Sequence, residues 1–173
     1  LPASGVAHQP ETLSFVQAAS MGVPYTTAWD ALQRSGVVAG TRLLVIGANG
    51  AVGSATLGLA NVLGAQVLAA VRRPEQARVL REQGYDVILL TQPEALAGEV
   101  NAVFAGGADV IFDTTGHWLP AAVPALAVQR MECGGRRRDA GGREIGLGER
   151  PAQVEGLACI AEVERPFEAL GSL

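Results

Sequence analysis

Short apolar runs alternate with longer segments of helical periodicity over the first 127 residues of the chain. Four runs have the composition of buried strands and are bounded by glycine, proline or charged residues: 43–47, 66–71, 86–90 and 109–113. Helical patterns lie between them, at 54–63, 74–83 and 93–104. Strands that alternate with helices at this spacing form right-handed βαβ units. The sequence therefore predicts an α/β fold with a doubly wound parallel sheet.

A glycine-rich turn joins the first strand to the helix that follows it. It reads Gly47-Ala48-Asn49-Gly50-Ala51-Val52-Gly53. Gly50 would let the backbone approach a pyrophosphate, Gly53 would let the helix pack closely on the strand, and the helix N-terminus would supply N–H groups and a positive dipole. The same glycines could simply form a tight turn, but a strand before them and a helix after them favour dinucleotide binding.

The end of the second apolar run decides which nucleotide would bind. In dinucleotide-binding βαβ units an acidic residue at this point binds the ribose 2′-hydroxyl of NAD, whereas an arginine accommodates the 2′-phosphate of NADP. The chain has Arg72 and Arg73 here, and no acid between Val67 and Arg73. The two arginines could instead be solvated loop residues, as most arginines are. The sequence therefore favours NADP (NADPH) over NAD.

Composition narrows the classes of function. The chain has 173 residues, 49% of them hydrophobic and 17% charged, which is typical of one folded domain. A net charge of −4 gives no electrostatic reason to bind nucleic acid or an anionic membrane. All 13 basic residues are arginine, so the Schiff-base, P-loop and general-base chemistry of lysine is excluded. Two cysteines, and the absence of an apolar run of about 20 residues, fit a cytoplasmic protein without a membrane span.

The composition changes after residue 127. Residues 128–173 carry seven arginines, eight acidic residues and eight glycines, but no regular apolar periodicity. Only Val154–Ile160 and Phe167–Leu170 are apolar, and both are expected to pack partly on the main core. We therefore expect an atypical Gly/Arg-rich tail of uncertain fold at 128–173, which leaves the sheet incomplete at its C-terminal strands.

Three stretches together resemble a known family: MGVPYTTAWDAL at 21–32, VIGANGAVG at 45–53 and DVIFDTTG at 109–116. In order and spacing they are similar to the medium-chain dehydrogenase/reductase superfamily, and within it to the zinc-independent NADPH:quinone oxidoreductases related to zeta-crystallin. The resemblance covers about residues 10–127 and implies a Rossmann domain at 21–127, preceded at 1–20 by a linker from a GroES-like domain. It also implies a small-molecule acceptor, namely a quinone, enone or related carbonyl compound that receives hydride from NADPH.

The resemblance assigns roles to individual residues. It places Thr27 near the nicotinamide, with Tyr25 and Thr26 beside it, and Thr114 near the ribose or the pyrophosphate. From residue chemistry alone, Thr26 and Thr27 could equally be helix N-caps. No catalytic residue is assigned, because the cofactor carries the hydride chemistry and the protein orients it. The resemblance leaves a homodimer open.

The chain also departs from the family pattern. Gln76 stands where the family often has a basic residue, and Leu90 replaces the tyrosine that commonly borders the adenine. The GroES-like domain, which would form most of the substrate cleft, lies outside this sequence, so we expect the chain alone to bind NADPH weakly and to reduce quinones poorly. Trp29 and Trp118 are expected to be packing residues, because tryptophan is highly buried on average.

Other functions fit the sequence less well. A non-catalytic dinucleotide-binding module or inactive fragment is one alternative, and a relative of the zinc-dependent alcohol dehydrogenases whose zinc domain is missing is another. No zinc is expected, because the cysteines and histidines of the chain form no recognisable ligand spacing: Cys133, Cys159, His8 and His117. A short-chain dehydrogenase is excluded, since its Tyr-x-x-x-Lys pair needs a lysine.

Overall fold

The computed structural model of the chain describes residues 8–127 and 157–159. Its helices and strands, in chain order, are α1 (Phe15–Arg34), β1 (Arg42–Ile46), α2 (Ala51–Val62), β2 (Gln66–Val71), α3 (Pro74–Glu82), β3 (Asp86–Leu89), α4 (Leu96–Val103), β4 (Val110–Asp113), α5 (Leu119–Ala122) and β5 (Leu157–Cys159). Short 3₁₀ turns precede α4 and follow α5, at Pro93–Ala95 and Val123–Ala125. The four strands and three helices that the sequence predicts are therefore present, with bounds shifted by a few residues.

The strands form one parallel sheet in the order β3-β2-β1-β4-β5. β1 pairs with β2 on one side and with β4 on the other, so the strand order reverses beside β1. Ile46, the last residue of β1, lies in register with Ala70 and Asp113, and Val71 lies in register with Leu89. These strands thus end at one common edge, where doubly wound sheets bind their ligands. This topology confirms the predicted doubly wound α/β fold.

The sheet is buried on both faces, and β1 lies at its centre. Leu43 and Val45 face one core, which α1, α2 and α3 cover, whereas Leu44 and Ile46 face a second core beneath α4 and α5. All four side chains are fully buried. A strand with no polar face has a continuous apolar sequence, which is why the amino-acid sequence alone identifies this strand.

The first helix begins at Phe15, within the segment expected to be a linker. Ser14 caps it: the hydroxyl oxygen accepts from the Gln17 N–H at 3.3 Å, and the Gln17 side chain accepts from the Ser14 N–H at 2.9 Å. Thr26 and Thr27 lie in the interior of α1, so the interpretation that they are N-caps is wrong. Within the described ranges, no helix is long and apolar enough to cross a membrane.

One short strand comes from the predicted tail. Residues 157–159 form β5 and pair in parallel with β4. They lie within the patch Val154–Ile160, for which the sequence predicts partial packing on the core but no strand. The rest of the predicted tail lies outside the described residues, at 128–156 and 160–173.

An ion pair joins the starts of β1 and β4, at the edge of the sheet opposite the strand ends. Arg42 Nη2 lies 2.5 Å from Asp109 Oδ1, and Arg42 Nε lies 3.1 Å from Asp109 Oδ2. The Arg42 backbone N–H donates to Asp109 Oδ2 at 2.9 Å, and Arg42 Nη1 donates to the Ala105 carbonyl at 2.8 Å. The hydrogen bond from the Arg42 side chain lowers the pKa of Asp109, and the backbone N–H and the arginine charge lower it further against the opposing effect of burial.

Asp109→Asn is expected to lower the free energy of unfolding at neutral pH by about 1–2 kcal/mol, the contribution of charged hydrogen bonds reduced for solvent exposure. Because the folded-state pKa of Asp109 lies below the unfolded-state value, the stabilisation is complete above the unfolded-state pKa and is lost as pH falls through the folded-state pKa. Urea unfolding of both proteins at neutral and acidic pH measures the difference. Asp86→Asn, at the exposed start of β3, is the control and should have little effect. A difference for Asp109→Asn that does not shrink in acid would contradict this role.

Candidate functional site

A cleft of about 340 Å³ opens at the edge where strands β1 to β4 end. Its lining comes from residues at or just after these strand ends and from the starts of α3 and α5: Gly47, Asn49, Gly50, Val71, Arg72, Gln76, Leu90, Thr114, Thr115 and Trp118. The cleft therefore lies where the strand order reverses, which is the position at which this type of sheet binds ligands.

The turn from β1 to α2 forms one side of the cleft. Gly47 has a φ of 78°, a left-handed conformation that favours glycine. The Gly47 N–H donates to the Ala70 carbonyl at 3.0 Å, and the Gly50 N–H donates to the Gly47 carbonyl at 2.9 Å, which closes the turn. Gly50 is the N-cap of α2, and no side chain among the described residues caps this helix. The first-turn amides of α2 can therefore bind an anion in the cleft.

Gly50 and Gly53 have different surroundings. A Cβ at Gly50 would meet only the Gly47 carbonyl oxygen, at 3.3 Å, and Gly50 is exposed with an ordinary φ of −77°. A Cβ at Gly53 would overlap the same oxygen and lie 2.8 Å from Ala48 Cα, closer than real Cβ atoms come. Gly50 therefore leaves space for a ligand, whereas Gly53 lets α2 pack against the turn.

Arg72 and Arg73 take different places after β2. Arg72 lines the cleft together with Gln76, which lies in the first turn of α3. Arg73 is the N-cap of α3 and is not among the residues that line the cleft. Both arginines are exposed. An anion bound in the cleft would therefore meet one of the two guanidinium groups, that of Arg72.

Thr114 and Thr115 are held by partners within the protein. The Thr114 hydroxyl donates to the Ile46 carbonyl at 2.9 Å, so in this arrangement it offers a ligand only its lone pairs. Thr115 donates from both its N–H and its hydroxyl to Asp113 Oδ1, at 2.8 Å each. A lone-pair acceptor suits a ribose hydroxyl and not a phosphate oxygen, so ribose is the better ligand for Thr114.

The cleft brings together five of the predicted site residues: Gly47, Asn49, Gly50, Arg72 and Thr114. Six others do not line it: Thr27, Ala48, Ala51, Val52, Gly53 and Arg73. Three of these six, 51–53, form the first turn of α2, so they can contribute through their backbone amides. Ala48 is fully buried, and Thr27 is half-buried on α1. The structure thus assembles the predicted phosphate-binding part of the site and leaves Thr27 apart from it.

Five residues line the cleft without having been predicted as site residues: Val71, Gln76, Leu90, Thr115 and Trp118. Val71 and Leu90 adjoin predicted strand ends, and this placement could have identified them. Trp118 lies in the loop after β4, where nothing in the local sequence distinguishes a cleft residue from a packing residue. Trp29 is 47% exposed on α1, so the prediction that it is a packing residue is wrong within the described part of the chain.

Comparison with known proteins gives a consistent set of relatives. A family model described as zinc-binding dehydrogenase matches residues 51–136. The zinc-type alcohol dehydrogenase-like protein of Schizosaccharomyces pombe is 34% identical over 136 residues, which are 79% of this chain and 37% of that protein. A solved NAD-dependent alcohol dehydrogenase has a TM-score of 0.68 and 29% identity, covering 73% of this chain and 38% of that one. The quinone oxidoreductase of Thermus thermophilus, solved also with NADPH, has a TM-score of 0.61 and 27% identity, covering 87% and 46%.

The chain spans less than half the length of each of these relatives. One of the two solved relatives is an NAD-dependent alcohol dehydrogenase, and the other was solved in complex with NADPH. The nucleotides named for these two relatives therefore differ, so a choice between NAD and NADP for this chain has to come from the residues of the cleft.

The family description names zinc, but the described residues do not fit a zinc site. Within the part of the chain that the structure describes, no group of three or more histidine, cysteine or acidic residues could hold a metal ion. Zinc sites in proteins use three or four such ligands. That this chain binds no zinc stays a prediction, which metal analysis of the purified protein would test.

Proposed function

We propose that this chain, which belongs to the medium-chain dehydrogenase/reductase superfamily, binds NADPH by the dinucleotide-binding part of that superfamily. We further propose that the bound NADPH serves an oxidoreductase that transfers hydride to a quinone, enone or related carbonyl acceptor. The observation that carries the proposal is the meeting of the β1–α2 glycine turn and Arg72 in one cleft. NADPH presents two anionic groups, a pyrophosphate that suits a helix N-terminus and a 2′-phosphate that suits an arginine after the second strand.

Space and charge in the cleft both support the binding of the anionic groups of this nucleotide. Gly50 leaves the room that a pyrophosphate needs beside the first-turn amides of α2. Of the described lining residues, Arg72 is the only cation and none is acidic. An acidic residue after the second strand typically binds the 2′-hydroxyl of NAD and would repel the 2′-phosphate of NADPH. The charge of the cleft therefore supports NADPH.

The residues of the chain hold and orient the nucleotide, whose nicotinamide supplies the hydride when it is bound. The α2 amides and Arg72 would bind the two anionic groups, and the Thr114 hydroxyl would accept a hydrogen bond from a ribose hydroxyl. The described lining residues are glycine, amide, hydroxyl, apolar and arginine side chains. The described lining includes no histidine, cysteine or carboxylate side chain, so we assign none of these residues an acid–base role.

The proposed partner is a small-molecule acceptor, and the proposed location is the cytoplasm. Neither nucleic acid nor a membrane is a proposed partner, and the net charge of −4 supports this for polyanions. The family resemblance allows a homodimer. Because the chain spans less than half the length of its relatives, the identity of the acceptor is part of the proposal and is not read from the cleft.

A non-catalytic dinucleotide-binding module is the second candidate function. It is supported by the lining of the cleft, in which every described side chain suits nucleotide binding and none suits proton transfer. Steady-state oxidation of NADPH by a small quinone, measured on the full-length protein, separates the two candidates. Turnover supports the oxidoreductase, and nucleotide binding without turnover supports the module.

Arg72→Ser is expected to weaken NADPH binding by about tenfold and to leave NADH binding nearly unchanged. A hydrogen bond to a charged group contributes about 1.5–3 kcal/mol, and the exposure of Arg72 keeps the effect near the lower figure. The same variant should flatten the salt dependence of NADPH binding, because one interaction between charges is lost. Titration of both nucleotides at two ionic strengths measures both effects.

Arg73→Ser is the matched control, because Arg73 is an adjacent exposed arginine that does not line the cleft. It should change neither affinity by more than about twofold, as expected for a screened surface charge. Equal losses of NADPH and NADH affinity in Arg72→Ser, or a larger loss of NADPH affinity in Arg73→Ser, would contradict the assignment of the 2′-phosphate to Arg72.

A further inference from the structure

Trp118 lines the cleft and also packs, partly buried, against the core cluster that contains Leu90. The Trp118 backbone N–H donates to Asp113 Oδ2 at 3.1 Å, and the Trp118 carbonyl accepts from the Ala122 N–H at 2.9 Å. A residue held at both backbone groups and against a core presents its ring in a defined place. Little conformational entropy is then lost when a ligand contacts that ring.

The anion-binding groups limit where the base of a bound nucleotide can lie. A pyrophosphate at Gly50 and a 2′-phosphate at Arg72 place the adenosine ribose between the ends of β1 and β2. The purine is bonded directly to this ribose, so it lies beside the apolar lining of the cleft, which consists of Val71, Leu90 and Trp118. Trp118 alone among these three has a flat aromatic face, the kind of surface on which nucleobases stack.

We propose that the Trp118 indole is the stacking surface for the purine base of the bound nucleotide, and that Asp113 positions it. This inference rests on the proposed function, because it requires that the cleft bind an adenine nucleotide. Asp113 is fully buried, and its carboxylate accepts from the Thr115 hydroxyl and from the backbone N–H groups of Thr115 and Trp118. These bonds satisfy the buried carboxylate and hold the loop at 114–118 against the end of β4.

Trp118→Leu is expected to weaken the binding of NADPH and of adenosine 2′,5′-bisphosphate by the same factor, about 5- to 20-fold. The bisphosphate is a suitable probe because it carries the purine and the 2′-phosphate but no nicotinamide. Trp118→Phe keeps an aromatic face and should weaken both ligands by less than about threefold. Trp29→Leu, at the exposed tryptophan outside the cleft, is the control and should change neither affinity.

Tryptophan fluorescence gives a readout that a purely structural role for Trp118 would not change. The chain has two tryptophans, so Trp29→Phe leaves Trp118 as the only emitter and Trp118→Phe leaves Trp29. A purine stacked on an indole quenches its emission. Adenosine 2′,5′-bisphosphate should therefore quench the fluorescence of the Trp29→Phe protein and leave that of the Trp118→Phe protein unchanged.

Asp113→Asn tests the positioning role. The amide keeps the size of the side chain but replaces one carboxylate oxygen by a donor, so the hydrogen bonds to Thr115 and Trp118 cannot all form. If Asp113 positions the ring, Trp118→Leu should weaken binding by a smaller factor in the Asp113→Asn background than in the parent chain. The two factors should differ by at least about threefold. Additive losses would overturn the positioning role of Asp113.

The other outcomes separate this inference from the proposed function. A loss of affinity for NADPH but not for the bisphosphate would place Trp118 at the nicotinamide end and overturn the base assignment. Unchanged affinity for both ligands in Trp118→Leu, with no quenching of Trp118, would show that Trp118 is a packing residue while the proposed function stands. If the parent chain binds neither ligand, the proposed function fails and this inference fails with it.

Discussion

Gly50→Val is expected to reduce nucleotide affinity by at least about 100-fold while leaving the chain folded. The φ of Gly50 is −77°, which any residue adopts, and a Cβ there would meet a single atom, at 3.3 Å. The branches of valine would occupy the space beside the first-turn amides of α2, where we place the pyrophosphate. The loss of two or more charged hydrogen bonds, at about 1.5–3 kcal/mol each, explains the size of the effect.

Calorimetric titration with NADPH and urea unfolding of the same preparations measure affinity and stability together. Gly58→Val is the matched control: it is the same substitution inside the helix that Gly50 caps, at a site where a Cβ meets nothing within 4 Å. It should preserve affinity and change the free energy of unfolding by less than about 0.5 kcal/mol, because valine and glycine differ little in helix propensity. Unchanged affinity in a folded Gly50→Val protein would contradict the assignment of the turn to pyrophosphate.

Gly53→Ala is expected to act mainly on stability, lowering the free energy of unfolding by about 1–3 kcal/mol. The added Cβ would overlap the Gly47 carbonyl oxygen and lie 2.8 Å from Ala48 Cα, and these backbone atoms cannot rotate away as a side chain can. Helix α2 would then have to move away from β1, which loosens the core that contains Leu57 and Val45. A change of this size is a large part of the total stability of a small domain.

Gly58→Ala makes the same chemical change elsewhere in α2 and should raise the free energy of unfolding. Alanine is the better helix former by about 1 kcal/mol, and the new methyl group would meet nothing within 4 Å. Chemical denaturation of the parent and the two variants compares them directly. A Gly53→Ala protein as stable as the parent would show that α2 does not need a glycine at this position to pack on the turn.

The parallel sheet was predictable because its central strands are buried on both faces and therefore have continuous apolar sequences. Helix α1 was harder to predict, because only Ala28, Ala31 and Leu32 of its 20 residues are buried, and Pro24 lies inside it. It thus has little of the apolar periodicity that marks a helix in a sequence. Strand β5 has three residues, too few to show a pattern of its own.

The candidate site was predictable where its chemistry follows a strand directly in the chain, as at Gly50 and Arg72. Which of two adjacent arginines enters the cleft depends on how the backbone leaves β2 and begins α3, and spacing alone does not determine this. The sequence predicts only a packing role for Trp118, for a related reason. Its place in the cleft depends on the loop that the buried Asp113 carboxylate holds, and this is a property of the folded chain.

Hydrogen–deuterium exchange of the 173-residue chain, with and without saturating NADPH, tests most directly whether this cleft binds the nucleotide, because it reports the place of binding as well as its occurrence. We predict slower exchange in three segments that border the cleft: 47–54, 71–76 and 114–118. The first-turn amides of α2 should be protected most, since they would bond to the pyrophosphate. Equal exchange with and without NADPH in a folded chain, or protection only in segments away from the cleft, would contradict the assignment.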